Sequence, residues 1–297
     1  MSTVQRVVIV LNPNSTGDGP ANAHGLQEQL RAKVPELPVE LAETQYAGHA
    51  EELAYDAVAG RDGVLVVSAS GDGGYHEVVN GVVRAGRDGH RGGLAAVLPS
   101  GNANDHATAT QDRPLVEAIL DAVGGAPHAR MDLLEISSKG RGPRVAHSYI
   151  GVGISPVAAA ALNQHDLDAF RETVLVIRAF WQYRPLMIQH LGKIVRIDSL
   201  VFANIDRMGK YAQLSQDSAT DDGRYETILI PHRGKLRLMM EFIRIVRGRH
   251  ENRSHTTPYE FLTRTPMPIQ LDGEVIEVPG GATVTVRCLH RALRTVR

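Results

Sequence analysis

Four times between residues 6 and 125 a run of consecutive apolar residues gives way to a loop of small and polar residues. A longer stretch then follows in which apolar positions recur every three or four residues. The runs are RVVIVLN (6–12), VELAET (39–44), VLVVSAS (64–70) and LAAVLPS (94–100). The helical stretches fall near 21–32, 49–59 and 75–85, with two more near Asn104 and Pro114. A strand apolar at nearly every position is covered on both faces. The alternation therefore predicts a doubly wound parallel sheet with helices on either side.

Beyond residue 130 the pattern changes to β-branched runs with fewer helical stretches: RMDLLEISS, VAHSYIGVGIS, KIVRIDSLVFANI, RYETILIP, MPIQLDGEVIEV and ATVTVRCL. This half reads as a mostly antiparallel β domain with helices near 155–184 and 236–247. At 297 residues the chain exceeds the usual size of one core. Two domains are expected, 1–130 and 131–297, the extreme C-terminus being free to pack back on the first.

Composition narrows the classes. A formal charge of −1 gives no global attraction to nucleic acid, so any anion must be held by a local site. The single cysteine, Cys288, forms no internal disulfide and fits a reducing cytoplasm. No stretch reaches the ~18 apolar residues of a membrane span. A cytoplasmic protein is expected, at most peripheral at an inner membrane surface.

Three loops at the carboxyl ends of predicted strands carry unusual chemistry: NPNSTGDG after the first, SGDGG after the third and PSGNAND after the fourth. Ligands of open α/β sheets bind at those ends. Glycine and small hydroxyl residues let backbone N–H groups approach an anion, and a helix starting after the loop adds its positive end. Polyphosphate suits such a site. Asp72 then sits as a carboxylate beside phosphates, an arrangement that Mg²⁺ resolves, since it binds one or two carboxylates together with substrate oxygens.

The common nucleotide signatures are absent: no GxxxxGK[ST] occurs, and GVGISP at Gly151 lacks the third glycine of a dinucleotide fingerprint. HEVVN at His76 lacks the second histidine of HExxH, and the 13 histidines show no other metal-ligand spacing. LDGEV is by itself a hairpin-turn sequence, DDG at Asp221 is another turn former, and Asp132 alone reads as a structural aspartate as readily as a functional one.

In order along the chain, NPNSTGDG, SGDGGYHEVVNGV, LPSGNANDHA and LDGE resemble the landmarks of the diacylglycerol kinase catalytic superfamily. The HEVVNG continuation is most similar to the sphingosine kinase branch. The resemblance implies an ATP- and Mg²⁺-dependent lipid kinase with an α/β nucleotide domain and a β-rich lipid domain. By that match Asn12, Pro13, Asn14, Ser15 and Thr16, with Ser70, Gly71, Asp72, Gly73, Gly74, Tyr75 and His76, form phosphate-cradling segments. Thr44 matches a nucleotide-contacting threonine, and Gly101, Asn102 and Asn104 belong to the third loop. Asp72, Asp105 and Asp132 match acidic positions near the nucleotide and its metal, with Asp72 the catalytic Mg²⁺ ligand. Asp272 and Glu274 occupy the positions where a carboxylate takes the proton of the lipid hydroxyl. SQDSATDDGRYE resembles a structural-magnesium segment, with Asp222 as side-chain ligand and carbonyls from Ala219 and Arg224.

Departures from the family pattern are Gly74 and Asn102, each where threonine is usual, and Gln216 in place of the proline before Asp217. The acceptor is marked less clearly. Residues 155–184, with Trp181, read as a core helix or a lipid-pocket wall. In 231–250 six Lys/Arg face the single acid Glu241, with Arg237, Arg244 and Arg247 on one stripe, a solvated face or a membrane-docking one. The expected substrate is diacylglycerol, a sphingoid base or a related amphiphilic alcohol. A homodimer is one expected assembly, and nucleic acid is not an expected partner. The alternatives are an NAD-kinase-like or soluble-alcohol kinase, and a catalytically silent nucleotide-binding regulator.

Overall fold

The computed structural model describes residues 3–15, 18–90, 92–101, 104–153, 184–205, 207–208, 212–213, 219–246 and 253–297. Thr16, Asn102, Gln216, Asp217 and Arg247 lie outside them, as does the helix expected over 155–184 but for its last residue. Two compact units divide the chain: residues 1–132 with 290–297, and residues 133–289.

The first unit runs β1 (Arg6–Leu11), α1 (Gly19–Lys33), β2 (Val39–Glu43), α2 (His49–Val58), β3 (Val64–Ser70), α3 (Asp72–Arg87), β4 (Leu94–Pro99), α4 (Asp105–Thr110) and α5 (Leu115–Val123). Its four strands are parallel in the order β2-β1-β3-β4. Val7, Ile9 and Leu11 of β1 face α1 and α5, in a cluster with Leu26, Leu30 and Ile119. The alternate residues Val8 and Val10 are equally buried on the other face, where α2 and α3 pack. Burial on both sides is why these strands read as unbroken apolar runs. Each buried valine or leucine contributes about 1.5–3 kcal/mol. Val296 joins the same cluster, and the Arg113 guanidinium donates to the Arg297 carbonyl at 3.0 and 2.6 Å.

The second unit is built on an 11-stranded sheet. Its strands are β5 (Ala129–Ser138), β6 (Arg141–Ala146), β7 (Tyr149–Gly153), β8 (Leu186–His190), β9 (Lys193–Ala203), β12 (Tyr225–Pro231), β13 (Arg253–His255), β14 (Tyr259–Thr263), β15 (Met267–Leu271), β16 (Glu274–Val278) and β17 (Thr283–Thr295). Two short strands, β10 (Arg207–Met208) and β11 (Ala212–Gln213), pair separately, and α6 covers Lys235–Val246. The main path is β16-β15-β7-β9-β8-β14-β17-β5-β6, with β12 on β9 and β13 on β12. Ile150, Leu200, Phe202, Phe261 and Ile269 form its core. The parallel sheet followed by a large antiparallel one is the fold class the sequence pattern predicts.

Two details differ from the sequence reading. The helix expected from Tyr75 begins at Asp72, because an aspartate in the first turn suits the positive helix end and the following glycines continue the turn. VAHSYIGVGIS is two strands rather than one, broken at His147 and Ser148, whose N–H groups are taken by Asp272.

Helices α2 and α3 lie in backbone contact at Gly81, where a Cβ would meet the Glu51 carbonyl oxygen at 2.3 Å and Ala54 Cβ at 2.8 Å. Arg84 reinforces the contact by pairing with Glu51 at 2.9 Å and lying 4.5 Å over the Tyr55 ring. Gly86, one and a half turns on, has nothing within 4 Å of that position. Gly81→Val is expected to destabilise the protein by about 1–3 kcal/mol through overpacking, whereas Gly86→Ala stabilises it by about 0.4–1 kcal/mol. Urea unfolding of both variants checks the opposite signs.

Candidate functional site

In the order β2-β1-β3-β4 the connections leave β1 and β3 in opposite directions, which opens a crevice at their carboxyl ends. A cavity of about 470 Å³ lies there, within the range of small-molecule sites. Asn12, Asn14 and Ser15 line it from the loop after β1, Thr44 to Ala47 from the end of β2, and Ser68 and Ser70 from β3. Gly74 and Glu77 of α3 complete the lining with Ala50 of α2. The first loop is folded on itself: the Asn14 N–H donates to Asn12 Oδ1 at 3.0 Å, and the Ser15 N–H to the Asn12 carbonyl at 3.1 Å. Six residues expected to cradle a nucleotide, Asn12, Asn14, Ser15, Thr44, Ser70 and Gly74, thus share one cavity. Pro13 is exposed on the same loop.

The glycines here serve close approach rather than left-handed backbone, since none of Gly71, Gly73 and Gly74 has positive φ. A Cβ on Gly101 would stand 2.5 Å from the Gly71 Cα, so the loops after β3 and β4 touch backbone to backbone. The Ser100 N–H donates to the Ser70 carbonyl at 3.1 Å across the same seam. A Cβ on Gly74 would meet Ser70 Oγ at 2.4 Å, and Ser70 is itself bonded to Ser68 at 2.7 Å. The serine hydroxyl therefore fills the space that any Cβ at position 74 would need.

Asp72 Oδ2 and Oδ1 accept the N–H groups of Asp105 and His106, each at 3.1 Å. The carboxylate at the start of α3 thus also caps α4. Asn104 precedes α4 in the left-handed region (φ 50°), and its side chain makes a two-way clasp with Gly101, at 2.9 and 2.7 Å. Tyr75 and His76 are 1% and 2% exposed and do not line the cavity: the Tyr75 ring lies 5.1 Å from that of His106, and His76 Nε2 lies 3.2 Å from Asn80 Nδ2. Asp132 is fully buried, with Oδ1 on His290 Nδ1 at 2.9 Å and on the Arg291 N–H at 2.6 Å.

In the second unit, Asp272 and Gly273 both have positive φ (49° and 103°) and form the two-residue turn joining β15 to β16. Asp272 is 1% exposed, and its carboxylate accepts three backbone N–H groups, from His147 at 2.8 Å, Ser148 at 2.9 Å and Tyr149 at 3.1 Å. Glu274, two residues on, is exposed at the start of β16. Asp222 Oδ1 accepts the Arg224 N–H at 2.9 Å in a solvent-facing turn with Ala219 exposed nearby in sequence. Among the described residues no group of three or more His, Cys, Asp or Glu side chains is placed to hold a metal.

Sequence reasoning missed Glu77 and Tyr46. Glu77 accepts the N–H groups of Gly48 (3.0 Å) and Ala50 (3.1 Å), capping α2 from α3. An acid among the buried residues of α3 signals that it has a partner but does not say which. Tyr46 at the cavity mouth stacks on His49, centroids 4.5 Å apart, and donates to Glu52 at 2.6 Å, which holds its phenol above the ordinary range. Acids cap α2 and α4 and begin α3, whereas the first turn of α1 has none, and Asp18 makes no side-chain cap there. Gly19 places that helix start against the Ala69 carbonyl, 2.9 Å from its would-be Cβ.

No protein of curated function matches the sequence. A family model, the diacylglycerol kinase catalytic domain, matches residues 6–136. Among solved structures, a diacylglycerol kinase from Bacillus anthracis str. Sterne is similar with a TM-score of 0.64 at 14% identity, over 100% of this chain and 97% of that one. Two further structures from the same organism, each described as a candidate diacylglycerol kinase, reach TM-scores of 0.68 and 0.69 at 16% identity, over 100% of this chain and 97% and 98% of theirs. At that identity they show a shared fold along the whole chain. The family match runs from β1 into β5, so residues 6–136 are similar to the diacylglycerol kinase catalytic domain.

Proposed function

We propose that the protein is an ATP- and Mg²⁺-dependent lipid kinase that transfers the γ-phosphate to a hydroxyl of diacylglycerol, a sphingoid base or a related amphiphile. The observation that carries this reading is the convergence of Asn12, Asn14, Ser15, Thr44, Ser70 and Gly74 on one cavity of about 470 Å³, inside the segment matched to the kinase family. Phosphoryl transfer asks of a protein chiefly in-line positioning, neutralisation of charge on the transferred group and an acceptor for the hydroxyl proton. The small-residue loops supply the first.

Asp72, with Asp105 beside it, is the donor set for the metal. The Asp72 oxygens accept the N–H groups of Asp105 and His106, which holds the carboxylate fixed at the start of α3 for a hydrated cation. That fits Mg²⁺, which retains several waters and takes few protein ligands. When bound, the metal would neutralise charge on the phosphates. Glu274 is the better proton acceptor of the DGE pair, being exposed, while the Asp272 carboxylate is buried and occupied by three N–H groups. Asp272 then acts as a positioning residue that fixes the turn on which Glu274 follows. Asp222, with the carbonyls of Ala219 and Arg224, remains the proposed structural-magnesium turn. Peripheral contact with an inner membrane surface accompanies this reading. Among the described residues no helix is long and apolar enough to cross a membrane.

Labelled phosphate transfer from ATP with Mg²⁺ is expected to one of diacylglycerol, sphingosine or ceramide, and to be absent in Asp72→Asn, which keeps an acceptor for the α4 start but loses the charge. Label entering only NAD or glycerol would replace the lipid assignment with a soluble acceptor. ATP binding with no transfer to any of these would favour a silent regulator.

The DGE pair separates by a different readout. Glu274→Gln is expected to lower kcat by about 10²–10⁴-fold with an unchanged melting temperature. Asp272→Asn, by loss of charge-assisted bonds to buried N–H groups, should destabilise the fold by about 2–4 kcal/mol. Thermal unfolding of the two variants beside their kcat values checks this assignment, and a stable Asp272→Asn with the larger kinetic loss would reverse it.

A further inference from the structure

The turn between β8 and β9 breaks two rules at once. His190 pairs with Lys193, leaving Leu191 and Gly192 as a two-residue loop with φ of 49° and 76°. Such a loop favours Asn-Gly, since both positions need left-handed backbone, and a bulky side chain there is a true outlier. Leu191 is also 86% exposed, the most exposed large apolar residue described. An asparagine at this position would relieve both penalties, so neither folding nor solubility accounts for the leucine.

Its surroundings extend the pattern. Strand alternation places Met187 and Ile194, 41% and 57% exposed, on the outward face with Arg196, while Ile188 and Ile197 turn into the core. Lys193, paired with His190, adjoins the tip from the other face, and Arg264 reaches the outward face through Gln189 at 3.3 Å. The acid on the neighbouring strand, Glu260, has its carboxylate on the Thr285 hydroxyl at 3.3 Å. The hairpin is also held stiff, with the His190 ring stacked on Tyr259 (4.1 Å, 3°) and Nδ1 bonded to the Glu260 carbonyl at 2.7 Å. An exposed apolar tip behind which cations gather is complementary to an anionic phospholipid surface: the aliphatic groups enter the acyl boundary and the cations meet the headgroups.

We propose that the β8–β9 hairpin docks the second unit on an anionic bilayer by inserting Leu191 and Ile194, with Lys193, Arg196 and Arg264 on the headgroups. The inference deepens the lipid-kinase reading and rests on it for the choice of a bilayer as the occupant.

The test is co-sedimentation of the full chain with vesicles of equimolar phosphatidylcholine and phosphatidylglycerol, and with phosphatidylcholine alone. The protein is expected to bind the anionic vesicles more tightly, with the difference shrinking as salt rises. Leu191→Asn is expected to lower that binding by about tenfold or more, the loss of one inserted leucine, while its melting temperature stays equal or rises. Lys193→Gln with Arg196→Gln should weaken binding and flatten its salt dependence. Binding by Leu191→Asn equal to that of the parent overturns the proposal. So does failure of the parent to bind, or a concentration-dependent dimer abolished by Leu191→Asn in place of vesicle binding. The two readings fail separately: vesicle binding without phosphotransfer to any acceptor removes the kinase reading alone, and transfer to detergent-dispersed lipid without vesicle binding removes the docking surface alone.

Discussion

The carboxylate of Asp72 ties two helix starts together. As the first residue of α3 it lies in that helix's first turn, and it accepts the leading N–H groups of α4 at 3.1 Å each. The loops after β3 and β4 approach closely enough for this because Gly71 and Gly101 meet backbone to backbone. A larger residue at either glycine would separate the loops and move the carboxylate off α4. The run of small residues in these two loops thus has a steric cause, and the cation-binding role proposed for Asp72 is added to a structural one.

The same device recurs. Glu77 caps α2 across the helix pair, and in the second unit Asp272 gathers the N–H groups of 147–149. Each carboxylate satisfies backbone donors that would otherwise be costly to bury. In the first unit acids stand at the starts of α1, α2, α3 and α4, and Asp18, at the start of α1, makes no side-chain cap bond.

Much of this was legible in the sequence. The four strands of the first unit are apolar on both faces, so their pattern announced a covered parallel sheet, and the loops at their carboxyl ends announced the cavity. The loops holding Asn12, Ser15 and Ser70 were readable as lining it because a loop's position in an α/β order fixes which end of the sheet it occupies, whereas Thr44 was singled out by the family resemblance alone. Long-range partners were not legible. Nothing in VAHSYIGVGIS shows a break at His147, because its cause, Asp272, lies 125 residues away. Glu77 reads as one more helix residue until α2 is placed beside it. The strands β8 and β14 were missed because LMIQH and YEFLT are short, bounded by polar residues and stabilised by each other's pairing. Leu191 escaped notice for a related reason: an isolated leucine in a sequence carries no sign of its φ or its exposure.

The central claim is that the crevice between β1 and β3 takes a nucleotide. Hydrogen exchange of the full chain, with and without saturating ATP and Mg²⁺, tests it most directly. The account predicts slower exchange at residues 12–15, 44–47 and 70–77, with the β9 and β12 amides of the second unit unchanged. Saturation that leaves those three segments unprotected, or protects only segments outside them, would contradict it.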